Sequence, residues 1–593
     1  MTWQPVRGNI MTRWSKDVSP ENVWQEYPRP QMTRPDWLNL NGLWDFWITD
    51  KTKDVKRKLE GKILVPFPIE SALSGVKHPL GNEELLWYQR SFSFPDTWRD
   101  KRVLLHFGAV DWQANVFIDN QLVGEHAGGY LPFWFDITNY LDKGDSQHEL
   151  LISVWDPTDT HWQQRGKQVL KPGTIWYTAV SGIWQTVWLE PVPQTYIAEL
   201  KITPDLDIGS VRVKANRIGP ETGSGMIRVR VYDDGECVAE EKSENAAEDI
   251  TVQIPNQKLW SPDSPHLYDV EVTVGGDQVG SYFGMRKFNL EGGRLCLNGA
   301  PLFQFGPLDQ GYWPDGLYTP PSDEAMRRDI ELVKNLGFNM VRKHVKVEPA
   351  RYYYYCDRIG LIVWQDMPNG GNAVSEATST MTMIFGSRRR DRNYRYSGRE
   401  EAASRQDFHR ELQEMVDHLY NFACIGMWVP FNEGWGQFDA LETARWLKDY
   451  DPTRPVDHAS GWFDQGGGDC KSIHIYKLKL QLVNPEHKRA LVLSEFGGYS
   501  LKLADHLWIP DAEFGYKNYE TSQALTNAYL DLLATQLKPW IMEGLSAAIY
   551  TQTTDVEVEA NGFVTYDREV EKMDFAKIRL AHKELMEYAE GTK

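Results

Sequence analysis

The segment Glu324–Val341, with the sequence EAMRRDIELVKNLGFNMV, joins a helix-like pattern to a strand-like pattern. Its first part, Glu324–Leu336, carries apolar residues at helical spacing, and Pro320-Pro321-Ser322 in front of it is a helix-start signal. Its last part, Phe338–Val341, is a short apolar run that is typical of a buried strand. A helix followed at once by a buried strand is the repeating unit of parallel βαβ structure.

The same alternation continues to the end of the chain. A second helical period covers Arg410–Tyr420, and four further apolar runs stand between polar segments: Leu361–Trp364, Gly426–Pro430, Leu491–Ser494 and Ser546–Tyr550. A doubly wound sheet is the alternative, but no GxGxxG motif opens a helix. About 300 residues of this pattern fit one (β/α)8 TIM barrel, which we predict over residues 289–593.

Short β-strand patterns fill the chain before residue 289. Alternating or aromatic runs separated by turn signals predict a jelly roll over residues 1–192; these runs are Gly42–Ile48, Trp87–Phe94, Arg102–Phe107, Gln113–Ile118, Glu149–Val154 and Trp184–Leu189. A second set predicts an immunoglobulin-like sandwich over residues 193–288; its runs are Ser210–Ala215, Gly225–Val231, Asp249–Ile254 and Tyr268–Val274. The sequence therefore predicts a multidomain protein with two all-β domains before the barrel.

Composition excludes several classes of protein. The chain has 64 Lys and Arg against 83 Asp and Glu, a net charge of −19, which disfavours nucleic acid and anionic membranes as partners. The longest apolar runs are far shorter than the roughly 20 residues that span a bilayer, and the N-terminal stretch has no signal-peptide pattern. Five widely spaced cysteines form neither a disulfide framework nor a CxxC metal motif. We therefore expect a cytoplasmic protein without a cofactor.

Two glutamates stand at the ends of apolar runs, where a barrel places its catalytic groups. Met427–Glu433 (MWVPFNE) ends in Asn432-Glu433, and Leu491–Glu495 (LVLSE) ends in Glu495, on barrel strands that we number four and seven. Cleavage of a glycosidic bond with retention of configuration needs such a pair, one carboxyl to protonate the leaving oxygen and one carboxylate to attack the anomeric carbon. Either glutamate alone would also fit a solvated strand end.

These residues carry a resemblance to glycoside hydrolase family 2, which contains β-galactosidases, β-glucuronidases and β-mannosidases. The resemblance extends over nearly the whole chain; its markers are Gly42-Leu43-Trp44, Val65-Pro66-Phe67-Pro68, Gly182-Ile183-Trp184-Gln185, Phe431-Asn432-Glu433 and Ser494-Glu495-Phe496-Gly497. In that family a sugar-binding jelly roll and an Ig-like sandwich precede a catalytic TIM barrel. The resemblance implies that Glu433 is the acid/base, Glu495 the nucleophile and Asn432 a hydrogen-bond donor to the substrate 2-hydroxyl.

The resemblance also implies two further contacts to the nucleophile. Arg342, at the end of barrel strand two, would help to keep Glu495 ionised, and Tyr476 would donate a hydrogen bond to it. An ordinary ion pair and a packed core tyrosine are the alternatives. We also predict that residues at or near strand ends contact the substrate; these are Asp309, His344, Trp364, Asp366, Trp435, Trp462 and Tyr550. For the tryptophans and the tyrosine among them, core packing is the alternative. No HxH or HExxH pattern is present, so we predict no metal.

Several stretches depart from the best-known family patterns and leave the sugar open. After Arg342 this chain has Lys343-His344-Val345-Lys346-Val347-Glu348, where β-galactosidases and β-glucuronidases have Thr-Ser-His-Tyr-Pro. Val363-Trp364-Gln365-Asp366 looks more like the β-mannosidase branch. The Arg-rich stretch Ser387–Arg399 is interpreted as a solvated loop or as a wall of the active-site mouth or a subunit contact.

We predict an exo-acting retaining glycosidase that releases a terminal, β-linked sugar from an oligosaccharide or glycoside. A furanosidase of the same family, a transglycosylase, a non-catalytic carbohydrate-binding protein on the same scaffold and a structural protein remain alternatives. The resemblance implies a homo-oligomer, without fixing the number of subunits.

Overall fold

A computed structural model describes residues 3–52, 58–141, 147–220, 225–245, 248–372, 391–476, 486, 488–510, 512 and 514–591. Two β-sandwiches precede a curled parallel sheet that is flanked by helices. The predicted fold class is therefore confirmed. None of the helices in these residues combines the length and the apolar character needed to cross a membrane.

The first sandwich packs a six-stranded sheet against a four-stranded sheet around its own apolar core. Its strands are β1 Leu38–Asn39, β2 Gly42–Asp50, β3 Gly61–Val65, β4 Glu84–Phe92, β5 Arg102–Phe107, β6 Gln113–Ile118, β7 Gln121–Ala127, β8 Phe133–Asp136, β9 His148–Trp155 and β10 Val187–Val192. The sheet orders are β3-β2-β4-β9-β6-β7 and β1-β10-β5-β8, and all of these pairings are antiparallel. Burial alternates along β6 because one face of the sheet packs on the core.

The second sandwich has three strands in one sheet and four in the other. Its strands are β11 Tyr196–Asp205, β12 Ser210–Ile218, β13 Ile227–Asp233, β14 Glu236–Ser243, β15 Ile250–Gln253, β16 Tyr268–Val274 and β17 Asp277–Phe283. The orders are β11-β12-β15 and β14-β13-β16-β17. Valine and isoleucine side chains at alternate positions fill the space between the sheets.

The barrel strands form one parallel sheet in the order β21-β20-β19-β18-β24-β23-β22. They are β18 Gln304–Asp309, β19 Met340–Lys343, β20 Ile362–Asp366, β21 Ile425–Val429, β22 Cys470–Ile475, β23 Ala490–Gly497 and β24 Leu545–Thr551. The helices are α1 Asp323–Asn335, α2 Ala350–Ile359, α3 Ala402–Leu419, α4 Ala440–Tyr450, α5 Ser522–Leu532, α6 Lys538–Met542 and α7 Phe575–Gly591. The hydroxyl of Ser322 accepts the amide hydrogen of Ala325, so the predicted start of α1 is confirmed.

An irregular segment, residues 455–460, occupies the fifth strand position between β21 and β22. The Trp428 amide donates to the carbonyl of Pro455 (3.1 Å), and the Asp457 amide donates to the carbonyl of Trp428 (3.0 Å). On the other side, the Asp469 amide donates to the carbonyl of Val456 (2.8 Å). These bonds close the ring of the barrel although the segment lacks a regular strand ladder.

The Arg-rich stretch lies partly outside the described residues, because residues 387–390 are not among them. Its described end turns through a short 3-10 helix, Tyr394–Ser397, to Arg399. Arg399 is fully buried and donates to the carbonyl of Gly436 (3.1 Å), in the loop that follows β21. The interpretation as a solvated loop is therefore wrong for Arg399, which packs beneath the catalytic face.

Candidate active site

Glu433 and Glu495 lie at the carboxyl ends of β21 and β23, and both side chains are almost completely buried, with 9% and 4% of their surface exposed. Glu433 has a left-handed backbone conformation, with φ at +50°, which is rare for a residue with a side chain. Its amide donates to the carbonyl of Ser460 (2.9 Å), and the Ser460 amide donates to Phe431 (2.9 Å). The segment at the fifth strand position thus holds the Glu433 backbone in this strained geometry.

The two carboxylates approach each other closely, with His474 beside them. One oxygen of Glu433, one of Glu495 and a ring nitrogen of His474 all lie within 4.8 Å of one another. Nδ1 of His474 is 2.8 Å from Oε1 of Glu433, and its Nε2 is 3.6 Å from Oε1 of Glu495. This spacing is typical of a retaining pair, in which a nucleophile and an acid act on the same glycosidic bond and stand roughly 5–5.5 Å apart. The two carboxyl groups of an inverting enzyme stand farther apart, at roughly 6.5–9.5 Å.

Glu495 is surrounded by groups that favour its ionised form. Nη1 of Arg342 donates to its Oε1 (3.1 Å), and the Tyr476 hydroxyl donates to its Oε2. Burial opposes ionisation, but the charges of His474 and Arg342 outweigh it and hold the pKa of the Glu495 carboxyl well below its usual range. Glu495 is therefore a carboxylate at neutral pH.

The Arg342 guanidinium is itself fixed by a neighbouring acid and amide. It makes two bonds of 3.0 Å to the carboxylate of Asp366, and its Nη2 donates to Oδ1 of Asn432 (2.8 Å). Because the carbonyl end of Asn432 faces Arg342, the amide nitrogen is free, and among the described residues it has no hydrogen-bond partner although it is buried. An orphaned buried donor beside both carboxylates is suited to binding a substrate hydroxyl.

Replacing Asn432 by Ala is expected to lower kcat/KM roughly 10- to 100-fold, the cost of losing a buried hydrogen bond of about 1–3 kcal/mol. If Asn432 holds the 2-hydroxyl, the loss shrinks to a few-fold on the matched 2-deoxy glycoside. Steady-state kinetics of both proteins on both substrates measure this. An equal loss on the two substrates would show that Asn432 does not hold the 2-hydroxyl.

Tyr476 offers a test of how Glu495 is kept ionised. Burial raises the pKa of Tyr476 far above its usual range, so the phenol stays protonated and donates. Tyr476→Phe removes that donor and raises the pKa of Glu495, so the acidic limb of kcat/KM should move to higher pH by about one unit. The acidic limb moves upward because only the ionised form of Glu495 attacks, and a higher pKa means that this form is lost at a higher pH. Any folding stability that comes from the depressed pKa of Glu495 is likewise lost as the pH falls.

A matched control for Tyr476→Phe is Tyr352→Phe. Tyr352 lies on α2, outside the barrel, and its hydroxyl donates to Asp309 (3.0 Å). The control should leave the acidic limb where it is. A limb that moves equally in both proteins, or a downward shift in Tyr476→Phe, would contradict the assigned contact.

Models of one family match the three parts of the chain. The sugar binding domain of glycosyl hydrolases family 2 matches residues 61–193, a second model, described as glycosyl hydrolases family 2, matches residues 195–286, and the family's TIM barrel domain matches residues 321–497. The chain belongs to glycosyl hydrolase family 2. The resemblance inferred from the sequence is thereby confirmed.

Similar proteins share this family. A β-galactosidase of Thermoanaerobacter pseudethanolicus is 27% identical over 82% of this chain and 65% of its own length, and one of Lactococcus lactis is 25% identical over 79% and 48%. The chain thus spans less than two thirds of each of these relatives. Among solved structures, two β-glucuronidases share the fold. The one from an uncultured Clostridium has a TM-score of 0.72 and 18% identity, and the match covers 93% of this chain and 99% of that one. The one from Ruminococcus gnavus has a TM-score of 0.73 and 16% identity, and the match covers 95% of this chain and 99% of that one.

Two predicted substrate contacts of this family 2 chain are wrong. Trp364 is fully buried and its indole donates to Oε1 of Gln304 (2.6 Å), so it has no free face for a sugar. Tyr550 is also fully buried and accepts the amide hydrogen of Tyr499 (3.2 Å). Asp309 is only partly buried and accepts from Lys343 (2.6 Å) and from the Tyr352 hydroxyl (3.0 Å), so its contact with a substrate stays a prediction.

The remaining candidates lie close to the catalytic pair. His344 contacts Asp366 through Nδ1 (2.8 Å), and Asp366 in turn holds Arg342. The ring of Trp462 is 6.2 Å from that of His474, and the ring of Trp435 is 6.4 Å from that of His344. His344 and Asp366 are fully buried supports, whereas Trp435 and Trp462 are half-buried and keep part of each ring available.

Sequence reasoning missed three contributors to the site. His474 was not among the predicted site residues, yet it contacts both Glu433 and Glu495. Trp176 comes from the jelly roll and packs on Trp435 with ring centroids 4.8 Å apart, and Tyr516 stacks on Tyr476 at 3.8 Å. The spacing of His474 two residues before Tyr476 was the local signal, because side chains two positions apart along a strand point to the same face.

The cluster of Glu433, His474 and Glu495 also has the donor spacing that could hold a metal ion. Arg342 already occupies one side of Glu495 with its positive charge, 3.1 Å from Oε1. This cation disfavours a second one at the same oxygen. The absence of a catalytic metal stays a prediction.

Proposed function

We propose that this chain is a retaining exo-glycosidase in which Glu495 is the nucleophile and Glu433 the acid/base. The observation that carries the proposal is the approach of the two buried carboxylates, with one oxygen of each inside a cluster 4.8 Å across. Their surroundings differ, since Glu495 faces the fixed cation of Arg342 whereas Glu433 contacts His474. Two carboxyl groups in unlike environments can take the two unlike roles of this reaction.

In the first step, the Glu495 carboxylate attacks the anomeric carbon of the bound sugar. The bond from that carbon to the leaving oxygen breaks, and the carboxyl proton of Glu433 passes to that oxygen as the aglycone departs. The products are a covalent glycosyl ester on Glu495 and an ionised Glu433. The positive charge of Arg342 stabilises the Glu495 carboxylate before it attacks, and again when that carboxylate is released from the ester.

In the second step, Glu433 takes a proton from water, and the water oxygen attacks the same anomeric carbon. The ester bond to Glu495 breaks and the sugar leaves with its original configuration. Two inversions at one carbon are the reason for retention. A sugar hydroxyl in place of water would give transglycosylation through the same intermediate.

The sugar is proposed to be terminal and β-linked. The named relatives are β-galactosidases and the fold neighbours are β-glucuronidases, which supports a β-glycoside as the substrate class. Trp176 of the jelly roll packs against Trp435 of the barrel, two residues after Glu433, so the jelly roll borders the candidate site. An enzyme that removes end residues needs a site that is closed on one side, and this contact supports such a closure. A furanoside of the same family remains the alternative.

Labelling of the nucleophile tests this proposal. A 2-deoxy-2-fluoro β-glycoside with a good leaving group slows both steps, and the second becomes slow enough for the glycosyl-enzyme to accumulate. We expect one sugar per chain by intact mass, attached to the peptide that contains Glu495, and none in Glu495→Gln. A label on another carboxylate would reassign the nucleophile. The absence of any label across a panel of pyranosyl and furanosyl reagents would count against the glycosidase itself.

A further inference from the structure

Lys167 of the jelly roll is buried against the catalytic face of the barrel, with 6% of its surface exposed. The segment that carries it is tied to the loop after β20. The amides of Gly370 and Gly371 donate to the carbonyls of Arg165 (3.1 Å) and Gln163 (3.2 Å). Gly166 approaches the barrel so closely that an added Cβ would lie 2.6 Å from the carbonyl of Val345. Lys167 is thus held in place by the contact between the two domains.

The ammonium group of Lys167 has aromatic neighbours but no anionic one. Its Nζ lies 5.6 Å from the ring centroids of both Tyr177 and Trp435. Within the described ranges, no carboxylate lies within ion-pair distance of it, and it makes no side-chain hydrogen bond. Most of the Lys167 side chain is buried, but its Nζ is not among the fully enclosed atoms that lack a partner, so a ligand anion can reach it. Such an anion would replace the hydration that burial of the side chain has reduced. The two aromatic faces provide only part of that replacement.

Two arginines beside this lysine also lack acidic partners in the part of the chain that the structure describes. Arg165 donates to the carbonyl of Gly371 (2.9 Å), and its buried Nε has no partner. Arg399 donates to backbone carbonyls, among them Gly436, and to the Ser404 hydroxyl. Burial and the nearby charge of Arg165 lower the pKa of Arg399 to about 9. Asp407 and Glu411 act on Arg399 from beyond ion-pair distance, and Asp159 and Asp156 act on Arg165 in the same way. Among the described residues, neither arginine forms a direct ion pair that would leave a carboxylate for Lys167.

Trp435 connects Lys167 to the candidate active site. Trp435 follows Glu433 by two residues, and its ring lies 6.4 Å from that of His344. His344 contacts Asp366, which binds the same Arg342 that contacts Glu495. Burial and then the charge of Lys167 hold the pKa of His344 well below its usual value, so the cation is close enough to act on the pocket.

We infer that Lys167 binds an anionic oxygen group of the terminal sugar, the carboxylate of a uronic acid or a sulfate ester. This inference rests on the proposed glycosidase function and gives it a substrate class, an acidic glycoside. The anion supplies the counter-charge that the described protein residues do not, and Trp435 supplies a flat apolar face next to it. A neutral sugar offers no such compensation, so the pocket selects against it.

The test compares aryl β-glycosides that share one leaving group. The set contains the glucuronide and galacturonide, their methyl esters, the 6-sulfated galactoside and the neutral glucoside and galactoside. We expect the wild type to prefer an acidic substrate to its neutral match by roughly 10- to 100-fold in kcat/KM, the value of a charge-assisted hydrogen bond. Preference for a uronide over its methyl ester identifies the carboxylate, and preference for the 6-sulfate identifies the sulfate ester.

Variants assign the preference to this side chain. Lys167→Met should lose most of the preference, with a far larger fall on the acidic substrate than on its neutral match, while Lys167→Arg keeps much of it. Lys171→Met, an exposed position on the same segment, is the matched control and should keep the wild-type ratio. If Lys167→Met fails to fold, kcat/KM falls on all substrates together. The inference is then judged from the substrate preference of the wild type and of Lys167→Arg.

Calorimetric titration with free glucuronic acid, galacturonic acid and galactose 6-sulfate gives a readout without turnover. Binding of one acid that is lost in Lys167→Met supports the inference even if no aryl substrate is cleaved. The inference is overturned if the wild type cleaves neutral glycosides with no preference for acids, or if a folded Lys167→Met protein loses activity equally on acidic and neutral substrates. Either result leaves the glycosidase function standing. Absence of both labelling at Glu495 and cleavage would instead reject the proposed function.

Discussion

Glu495→Gln is expected to lower kcat by about four orders of magnitude or more, because the amide cannot form the glycosyl ester and the neighbouring Glu433 is needed as the acid. The change is nearly isosteric, and the amide oxygen can still accept from Arg342. Arg342 also keeps both of its bonds to Asp366, so the site should retain its shape. Steady-state kinetics on an activated aryl glycoside measure the loss.

The matched control for this variant is Glu520→Gln, an exposed glutamate on the loop before α5. It should leave kcat unchanged. Thermal unfolding of both variants separates a chemical loss from a folding defect. Activity within tenfold of the wild type in a folded Glu495→Gln protein would rule out Glu495 as the nucleophile.

Glu433→Ala is expected to affect substrates according to their leaving groups. An alkyl glycoside needs its leaving oxygen protonated, so its kcat/KM should fall about 10²- to 10⁴-fold. The dinitrophenolate group of a dinitrophenyl glycoside leaves without protonation, so kcat/KM for this substrate should fall less than about tenfold. Its kcat should still fall, because no general base activates water in the second step. Kinetics on both substrates give the contrast.

Azide adds a second readout for Glu433→Ala. As an anion it needs no general base, so it should restore turnover of the dinitrophenyl β-glycoside and yield the β-azide, with configuration retained. Glu400→Ala, at an exposed position, is the control and should show neither the leaving-group effect nor the rescue. Equal losses on both substrates, or an α-azide product, would contradict the acid/base role.

Much of the architecture could be predicted because the relevant signals are local. The run Arg102–Phe107 was predicted as a strand with the bounds that the structure has, and Ser322 caps α1 as expected. Glu433 and Glu495 were predicted from their position after apolar runs, and the structure brings them together. A parallel barrel places every strand end on one face, so distance along the chain does not separate such residues.

Which side of a barrel strand a residue faces could not be predicted. Trp364 and Tyr550 stand at or near strand ends as Glu433 and Glu495 do, but both are fully buried in the core. Parallel strands are buried on both faces, so their sequences lack the apolar-polar alternation that would reveal direction. The two faces differ only in the neighbours that they meet.

The domain types, the barrel and the pair of glutamates could be derived from local sequence, because periodicity and strand-end position are encoded within a few residues. Three other features come from the folded chain: the closure of the barrel by residues 455–460, the contacts of His474 with both carboxylates and the burial of Lys167 near Trp435. These three depend on segments far apart in the chain. Their contacts form only when the barrel closes and the jelly roll packs on it, and a local sequence pattern does not encode contacts between distant segments.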